Sequence, residues 1–132
     1  MSMEPTPVDP PQMQQSAAFA QGMIAPAGRT LYIGGQNGVD ADGHLREGLG
    51  PQTEQALRNV LSVLDAAGTD ADHVVKMTIY LAVGIDPMDA FAASARVWGT
   101  RRTAVSVLSV NPAREGALVE IEAIAMIPAS EL

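Results

Sequence analysis

An arginine and a glutamate beside apolar runs are the side chains of this sequence whose types best fit a chemical role. Arg102 precedes an apolar run that starts at Thr103, and Glu120 lies inside a run of Val, Ile and Ala. A guanidinium matches a carboxylate with its planar fork, and a glutamate can orient a water for attack on a polarised carbon. A carboxylate inside an apolar strand is costly to desolvate unless it is paired. One hypothesis is therefore a cleft in which Arg102 and Glu120 meet. The alternative is that both are solvated surface charges, as most charges on strands are.

Histidines and glycine runs are weaker candidates. His44 and His73 are too few for a Ser-His-Asp arrangement, and we expect His73 in a loop or a helix cap. The Asp-Ala-Asp-Gly run at 40–43 resembles the start of a calcium loop but lacks its acidic closing ligand, so it predicts a hairpin turn. The Gly-Gly-Gln run at 34–36 lacks the lysine and the following helix of a phosphate loop.

The composition excludes several classes of protein. The 132 residues fit one domain with a core of its own. The absence of cysteine excludes disulfides and thiolate chemistry. Two histidines are too few for a multi-histidine metal centre unless several carboxylates join it, so we expect no metal. The net charge of −7 opposes binding to nucleic acid. Because no apolar run is long enough to span a bilayer and no signal peptide is recognisable, we expect a cytoplasmic protein without membrane contact.

Hydrophobic periodicity predicts the elements that position these residues. Strands are predicted at 30–33, 75–81, 103–110 and 118–126. A first helix opens at Gly50-Pro51 and ends near Gly68, and a second runs over 88–98. The apolar stripe of the first helix consists of Leu57, Val60, Leu61 and Leu64. Its solvated side is expected to carry Gln52, Gln55, Arg58 and Asn59.

With the second strand that a hairpin turn at 40–43 requires, the order is β-β-α-β-α-β-β, which predicts an α+β fold, a mixed sheet with two helices on one face. Residues 1–15 contain four prolines and no apolar period, so we expect a disordered tail followed by a single domain over 16–132. The uncovered sheet face is expected to carry Lys76, Thr78, Tyr80, Ser106, Glu120 and Glu122. A half-apolar open face in a short chain favours self-association.

Five stretches together resemble the RidA/YjgF family of enamine/imine deaminases. They are residues 32–36, 64–68, 74–81, 102–107 and 119–125. The likeness covers residues 17–127. It implies a chorismate-mutase-like α+β fold and a homotrimer whose sheets pack into a central barrel with clefts between subunits.

The same resemblance implies which residues form the site. Arg102 corresponds to the arginine that holds the substrate carboxylate, and Glu120 corresponds to the acid that orients water. Gly35 and Gln36 match the family's Gly-Gln pair. The remaining substrate-binding positions depart from the family, which has tyrosine, serine and cysteine where this chain has Phe19, Gly34 and Ala104. The family's asparagine on the second helix has no counterpart, because no asparagine lies between Asn59 and Asn111.

The function implied is hydrolysis of small 2-imino or enamino acids to 2-oxo acids and ammonia, without metal or organic cofactor. The expected partners are a small carboxylate substrate and further copies of the chain. The departures leave open a non-catalytic protein of the same fold that binds or senses keto acids. Ribonuclease activity within the wider family is a third alternative, which the net charge opposes.

Overall fold

The computed structural model describes residues 4–129, which form six strands and two α-helices. In chain order these are β1 (Thr6–Val8), β2 (Gly22–Ile24), β3 (Gly28–Asn37), α1 (Leu49–Ala66), β4 (Val74–Ala82), α2 (Pro87–Trp98), β5 (Ala104–Val110) and β6 (Val119–Pro128). A single 3-10 turn, Ala71–His73, precedes β4 and contains His73 as expected.

The main sheet has four strands in the order β3-β6-β4-β5. β6 pairs antiparallel with β3 and β4, whereas β4 and β5 are parallel. A parallel pair requires a long crossover connection, and α2 supplies it. The predicted α+β fold with a mixed sheet is therefore confirmed.

One face of this sheet is covered by both helices. The stripe of α1 that buries Leu57, Val60 and Leu64 belongs to the same apolar cluster as Met77 and Ile121. The predicted stripe is confirmed, with Leu61 partly buried at its margin. The predicted helix end at Gly68 is also confirmed, because this residue adopts a φ of +81° directly after the last turn.

The opposite face of the sheet is left uncovered by the chain. Directly paired residues share a face, and the register pairs Tyr80 with Glu120 and Thr78 with both Glu122 and Ser106. Lys76 belongs to the same face, since its ammonium donates to the Ser106 hydroxyl at 2.6 Å. The predicted composition of the open face is thus confirmed. Two large apolar side chains on it are exposed, Tyr32 by 75% and Leu108 by 48%.

The amino-terminal segment differs from the disordered tail expected over 1–15. β1 pairs antiparallel with β2, with Thr6 opposite Ile24. Beyond β1, the Asp9 side chain accepts the backbone N–H of Gln21 at 2.9 Å. Prolines deny hydrogen bonds only at their own nitrogen, so an outer strand of three residues still forms. Residues 4–15 therefore contain ordered contacts where a tail was expected, and the domain boundary at residue 16 stays a prediction. The parts of the predicted tail and domain at 1–3 and 130–132 lie outside the described residues.

Gln52 was predicted on the solvated side of α1, and the structure shows it 2% exposed. Its amide donates to the carbonyls of Arg46 and Gly116 and accepts the backbone N–H of Leu118. The glutamine therefore ties the segment before α1 to the segment before β6. Helical periodicity could not indicate this, because loops rather than the sheet bury the side chain.

Among residues 4–129 no helix is long and apolar enough to cross a membrane.

Replacing Gln52 with leucine is expected to destabilise the fold by about 2–3 kcal/mol, because the buried amide is lost and three partly buried backbone groups lose their partner. The matched control is Gln55→Leu, one turn further along α1, where the amide bonds only to side chains: it donates to Asn59 and accepts from Arg46 at 3.4 Å. Urea unfolding of both variants measures the difference. Equal midpoints would contradict the structural role of Gln52.

Candidate functional site

Arg102 lies just before β5 and is held by its neighbours along the chain. Thr103 is 3% exposed, and its hydroxyl donates to the Val74 carbonyl at 3.0 Å, which anchors the backbone next to the arginine. The Arg102 Nη2 atom donates to Asp9 Oδ2 at 2.7 Å and to the Phe19 carbonyl at 3.0 Å. Its Nε is buried and has no hydrogen-bond partner among residues 4–129. The guanidinium is therefore largely enclosed and still has hydrogen-bonding capacity.

Asp9 is the carboxylate that faces this guanidinium. The backbone N–H of Gln21 and the Arg102 guanidinium both stabilise the ionised form, and together they hold the pKa of Asp9 below its ordinary value. The two side chains are only 17% and 29% exposed. At neutral pH the contact is thus an ion pair between an ionised aspartate and an arginine.

The preceding arginine has a different environment. Arg101 donates from Nε to Asp72 at 2.9 Å and from Nη1 to the Trp98 carbonyl at 2.6 Å. Its guanidinium lies 5.8 Å from the centre of the Trp98 ring. These contacts connect the end of α2 to the turn before β4, which is a structural role. In the described part of the chain Arg102 does not line a cavity itself, but it contacts Phe19, whose side of the chain faces a concave surface.

That surface is a cavity of about 430 Å³ whose lining includes Phe19, Lys76, Ala104 and Ser106. The Phe19 ring makes an edge-to-face contact with Phe91 of α2, with centroids 5.8 Å apart. Ala104 lies at the start of β5 and pairs with Ala20 across an isolated parallel bridge. Two of the predicted substrate-binding positions, Phe19 and Ala104, therefore lie in one cavity near Arg102.

The remaining predicted residues form a second group, at the end of β3. The register of β3 against β6 shifts between Ile33 and Gln36, so Gly34 and Gly35 form a bulge. A Cβ on Gly35 would lie 2.1 Å from Glu120 Oε2, so the glutamate carboxylate occupies space that only glycine leaves free. The Asn37 side chain donates to Glu120 Oε1 at 3.3 Å. The Gln36 amide turns back to the Gly34 carbonyl.

Beside Glu120 the open face holds a second acidic contact. Tyr80 donates its phenolic hydrogen to Glu122 in a short hydrogen bond. That bond, burial and the negative charges of Glu122 and Glu120 raise the pKa of Tyr80, so the phenol stays protonated at neutral pH. A smaller cavity of about 250 Å³ is lined by these three side chains and by residues 110–113.

Within one chain the structure does not bring Arg102 and Glu120 together. Glu120 lies on β6 and Arg102 leads into β5, two strands away in the sheet, which is about 10 Å at the usual strand spacing. Along β4, Glu120 is level with Tyr80 and Ala104 with Lys76, four residues earlier. A single chain therefore does not provide a cleft in which both side chains meet, and the hypothesis that they share one stays a prediction.

Sequence reasoning missed Asp9 and undervalued Tyr80. No local signal pairs Asp9 with Arg102, because 93 residues separate them. The alternation of side chains along a strand did place Tyr80 on the same face as Glu120, and this alternation was the sequence signal that pointed to Tyr80.

The acidic side chain of Asp40 in the turn at 40–43 stabilises the turn itself, without a bound ion. Atoms of Asp40, Asp42 and His44 that could coordinate a metal ion lie within 4.8 Å of one another. Asp40 Oδ1 already accepts the backbone N–H groups of Asp42 and His44, and Gly43 adopts a φ of +84°. The predicted hairpin turn is confirmed, and the prediction that the chain binds no metal stays a prediction.

Comparisons with known proteins show the family and the fold of this chain. The sequence model of the family described as Endoribonuclease L-PSP matches residues 11–127. The 2-iminobutanoate/2-iminopropanoate deaminase of Homo sapiens is 34% identical over 119 residues, 84% of this chain and 87% of the relative. Protein mmf1, mitochondrial, of Schizosaccharomyces pombe is 34% identical over 129 residues, 92% of this chain and 75% of the relative. A crystal structure of YyfB from Yersinia pestis, a conserved Rid family protein of unknown function, superposes with a TM-score of 0.83 at 32% identity, covering 95% of this chain and all of that one (100%).

A crystal structure of the Gly35→Ala variant is expected to show the Glu120 carboxylate rotated away from β3, because the new methyl group takes its place. Loss of the contact with Asn37 is expected to cost about 1 kcal/mol of stability. Gly34→Ala is the matched control, since a Cβ there meets no heavy atom within 4 Å. An unmoved Glu120 in the Gly35→Ala variant would refute the close approach.

Proposed function

Because this chain belongs to the RidA/YjgF family, whose sequence model matches residues 11–127, we propose that it is an imine deaminase. The reaction converts small 2-imino or enamino acids into 2-oxo acids and ammonia. Relatives that are 34–38% identical are named 2-iminobutanoate/2-iminopropanoate deaminase, which supports the same chemistry here. The identity of the imine is part of the proposal and rests on the site.

The observation that carries the proposal is the enclosed guanidinium of Arg102. It already holds one carboxylate, that of Asp9, at 2.7 Å, and its buried Nε has no partner among the described residues. Charge-assisted bonds of this kind are the ones that fix a carboxylate-bearing substrate in a single orientation. The adjoining cavity, with Phe19 and Ala104 in its wall, has room for a small side chain next to the held carboxylate.

The second half of the proposed site comes from another copy of the chain. Arg102 and Glu120 lie near opposite edges of the sheet, so they share a cleft only when two copies bring those edges together. The open face, with Tyr32 and Leu108 exposed, supplies apolar surface for such an association. We propose the homotrimer that the family resemblance implies, with one cleft at each interface.

The proposed chemistry needs orientation rather than a cofactor. Arg102 holds the carboxylate, and Glu120 accepts a proton from a water as its oxygen bonds to the C=N carbon. The resulting carbinolamine then loses ammonia, with the proton returned to nitrogen, and the 2-oxo acid is left. A protonated imine is already electrophilic, so positioning one water and excluding the rest supplies most of the acceleration.

The substituted positions bear on the substrate. Phe19, Gly34 and Ala104 offer no side-chain donor where the family has a tyrosine, a serine and a cysteine. A pocket with fewer hydrogen-bonding groups favours a more apolar imine, since an unpaired polar substituent would be desolvated without compensation. The cytoplasm stays the predicted compartment, although one relative is named as mitochondrial.

Two other functions are compatible with this fold. The missing donors also suit a protein of this fold that binds keto acids without turnover, and ammonia release separates that function from catalysis. The family's description names an endoribonuclease. RNA binding is opposed by the net charge of −7 and by the pairing of Arg101 and Arg102 with Asp72 and Asp9.

Arg102→Ala is expected to lower kcat/KM at least about a hundredfold, because the substrate carboxylate loses its charged partner. The assay measures ammonia and 2-oxo acid released from imines that an amino-acid oxidase generates in situ. Arg101→Ala is the matched control: it removes the neighbouring positive charge and is expected to retain activity. Full activity in the Arg102→Ala protein would remove the proposed anion site.

Mixing two inactive variants tests the shared cleft. Arg102→Ala and Glu120→Gln subunits are unfolded and refolded together at equal amounts, and random assembly leaves about a quarter of the clefts with both native side chains. We expect activity to return to about that fraction, whereas each variant refolded alone stays inactive. If the mixture recovers nothing while its subunits demonstrably co-assemble, the site is not shared between subunits.

A further inference from the structure

We infer that Asp9 competes with the substrate carboxylate for Arg102, so that the amino-terminal segment sets how tightly the site binds small carboxylates. This inference rests on the proposed function, in which Arg102 is the anion-binding group. Asp9 would thereby be a specificity-determining residue of this chain rather than a catalytic one.

The hydrogen-bond geometry of Arg102 makes the competition direct. A guanidinium offers two bidentate forks, Nε with Nη2 and Nη1 with Nη2, and both include Nη2. The two hydrogens of Nη2 are taken by Asp9 Oδ2 at 2.7 Å and the Phe19 carbonyl at 3.0 Å. A bidentate carboxylate can therefore not engage Arg102 until one of these acceptors withdraws. Phe19 contributes a backbone group fixed by its neighbours, so the side chain of Asp9 is the acceptor that can leave.

Charge acts in the same direction as geometry. With Asp9 ionised and 2.7 Å away, an approaching anion meets a neutral pair instead of a free cation. The Asp9 pair is not a loosely held surface contact, because Oδ1 of the same carboxylate also accepts the Gln21 backbone N–H at 2.9 Å. An incoming carboxylate must match these bonds before it binds, and this lowers its net affinity.

The segment around Asp9 has independent supports that keep it in place when the charge is removed. β1 pairs with β2. The Ser16 hydroxyl accepts the backbone N–H groups of Ala18 and Phe19, and Ala20 donates to the Thr103 carbonyl at 3.0 Å. The Phe19 ring rests against Phe91. Loss of the Asp9 charge is therefore expected to free Arg102 without unfolding the segment.

The test is the Asp9→Asn variant, whose amide oxygen can still accept the Gln21 N–H while the negative charge is gone. Calorimetric titration of the full-length protein with pyruvate is expected to show roughly tenfold tighter binding than in the wild type. Pyruvamide, which lacks the carboxylate charge, is expected to bind both proteins alike. Asp65→Asn is the control for net charge, because it removes one exposed carboxylate at the far end of α1.

Pyruvate affinity that is unchanged or weaker in Asp9→Asn would overturn the inference; a weaker affinity would make Asp9 a support for Arg102 instead of a competitor. Circular dichroism checks folding, and Asp9→Ser, which also keeps an acceptor for Gln21, provides a second charge-free variant. Arg102→Ala separates this failure from failure of the proposed function. If Arg102→Ala abolishes pyruvate binding while Asp9→Asn changes nothing, only the competition is refuted. If Arg102→Ala leaves binding intact, the anion site itself is refuted, and the competition with it.

Discussion

A guanidinium that is mostly withdrawn from water requires an anion, and this requirement organises one end of the molecule. A charge that is withdrawn from water is more stable beside an opposite charge, so a carboxylate partner is favourable for the partly buried Arg102. In the isolated chain Asp9 supplies it. The Asp9–Arg102 pair fixes the amino-terminal segment across the start of β5, and residues 14–16 and 19–21 of that segment line the nearby cavity. In the proposed site a substrate carboxylate would replace that of Asp9, and Arg102 would stay paired with a negative charge.

The sheet imposes the second constraint. The strand order β3-β6-β4-β5 places the glycine bulge and Glu120 near one edge and Arg102 at the other. A rigid sheet cannot fold its edges onto each other, so chemistry that needs both ends requires a neighbouring copy. The face not covered by the helices carries exposed apolar groups beside Lys76, Tyr80 and two glutamates, a composition suited to contact between subunits. In such an arrangement the site exists only in the assembled oligomer, so activity depends on association of the subunits.

The position of Glu120, the acid of the proposed site, depends on its close approach to the backbone of β3. Gly35 leaves room for the Glu120 carboxylate directly against β3, and Asn37 fixes one of its oxygens. Tyr80 donates a hydrogen bond to Glu122, so neither side chain takes the place of the Glu120 carboxylate. The bond also leaves no second unpaired carboxylate next to Glu120. Placement on paired strands rather than on loops makes this geometry stiff, which suits a reaction whose main need is the orientation of one water.

The sequence by itself determined the helices, the four strands of the main sheet, the buried stripe of α1 and the side chains of the open face, because periods of 3.6 and 2 report which side of a local element is buried. Family motifs further indicated Arg102 rather than Arg101, and the structure gives these neighbours different surroundings. Only the tertiary structure decided that Gln52 is buried between two loops, that residues 6–8 form a strand, and that Asp9 meets Arg102 while Glu120 does not. These outcomes depend on pairings between segments far apart in the chain, and local periodicity contains no information about which distant segments come into contact.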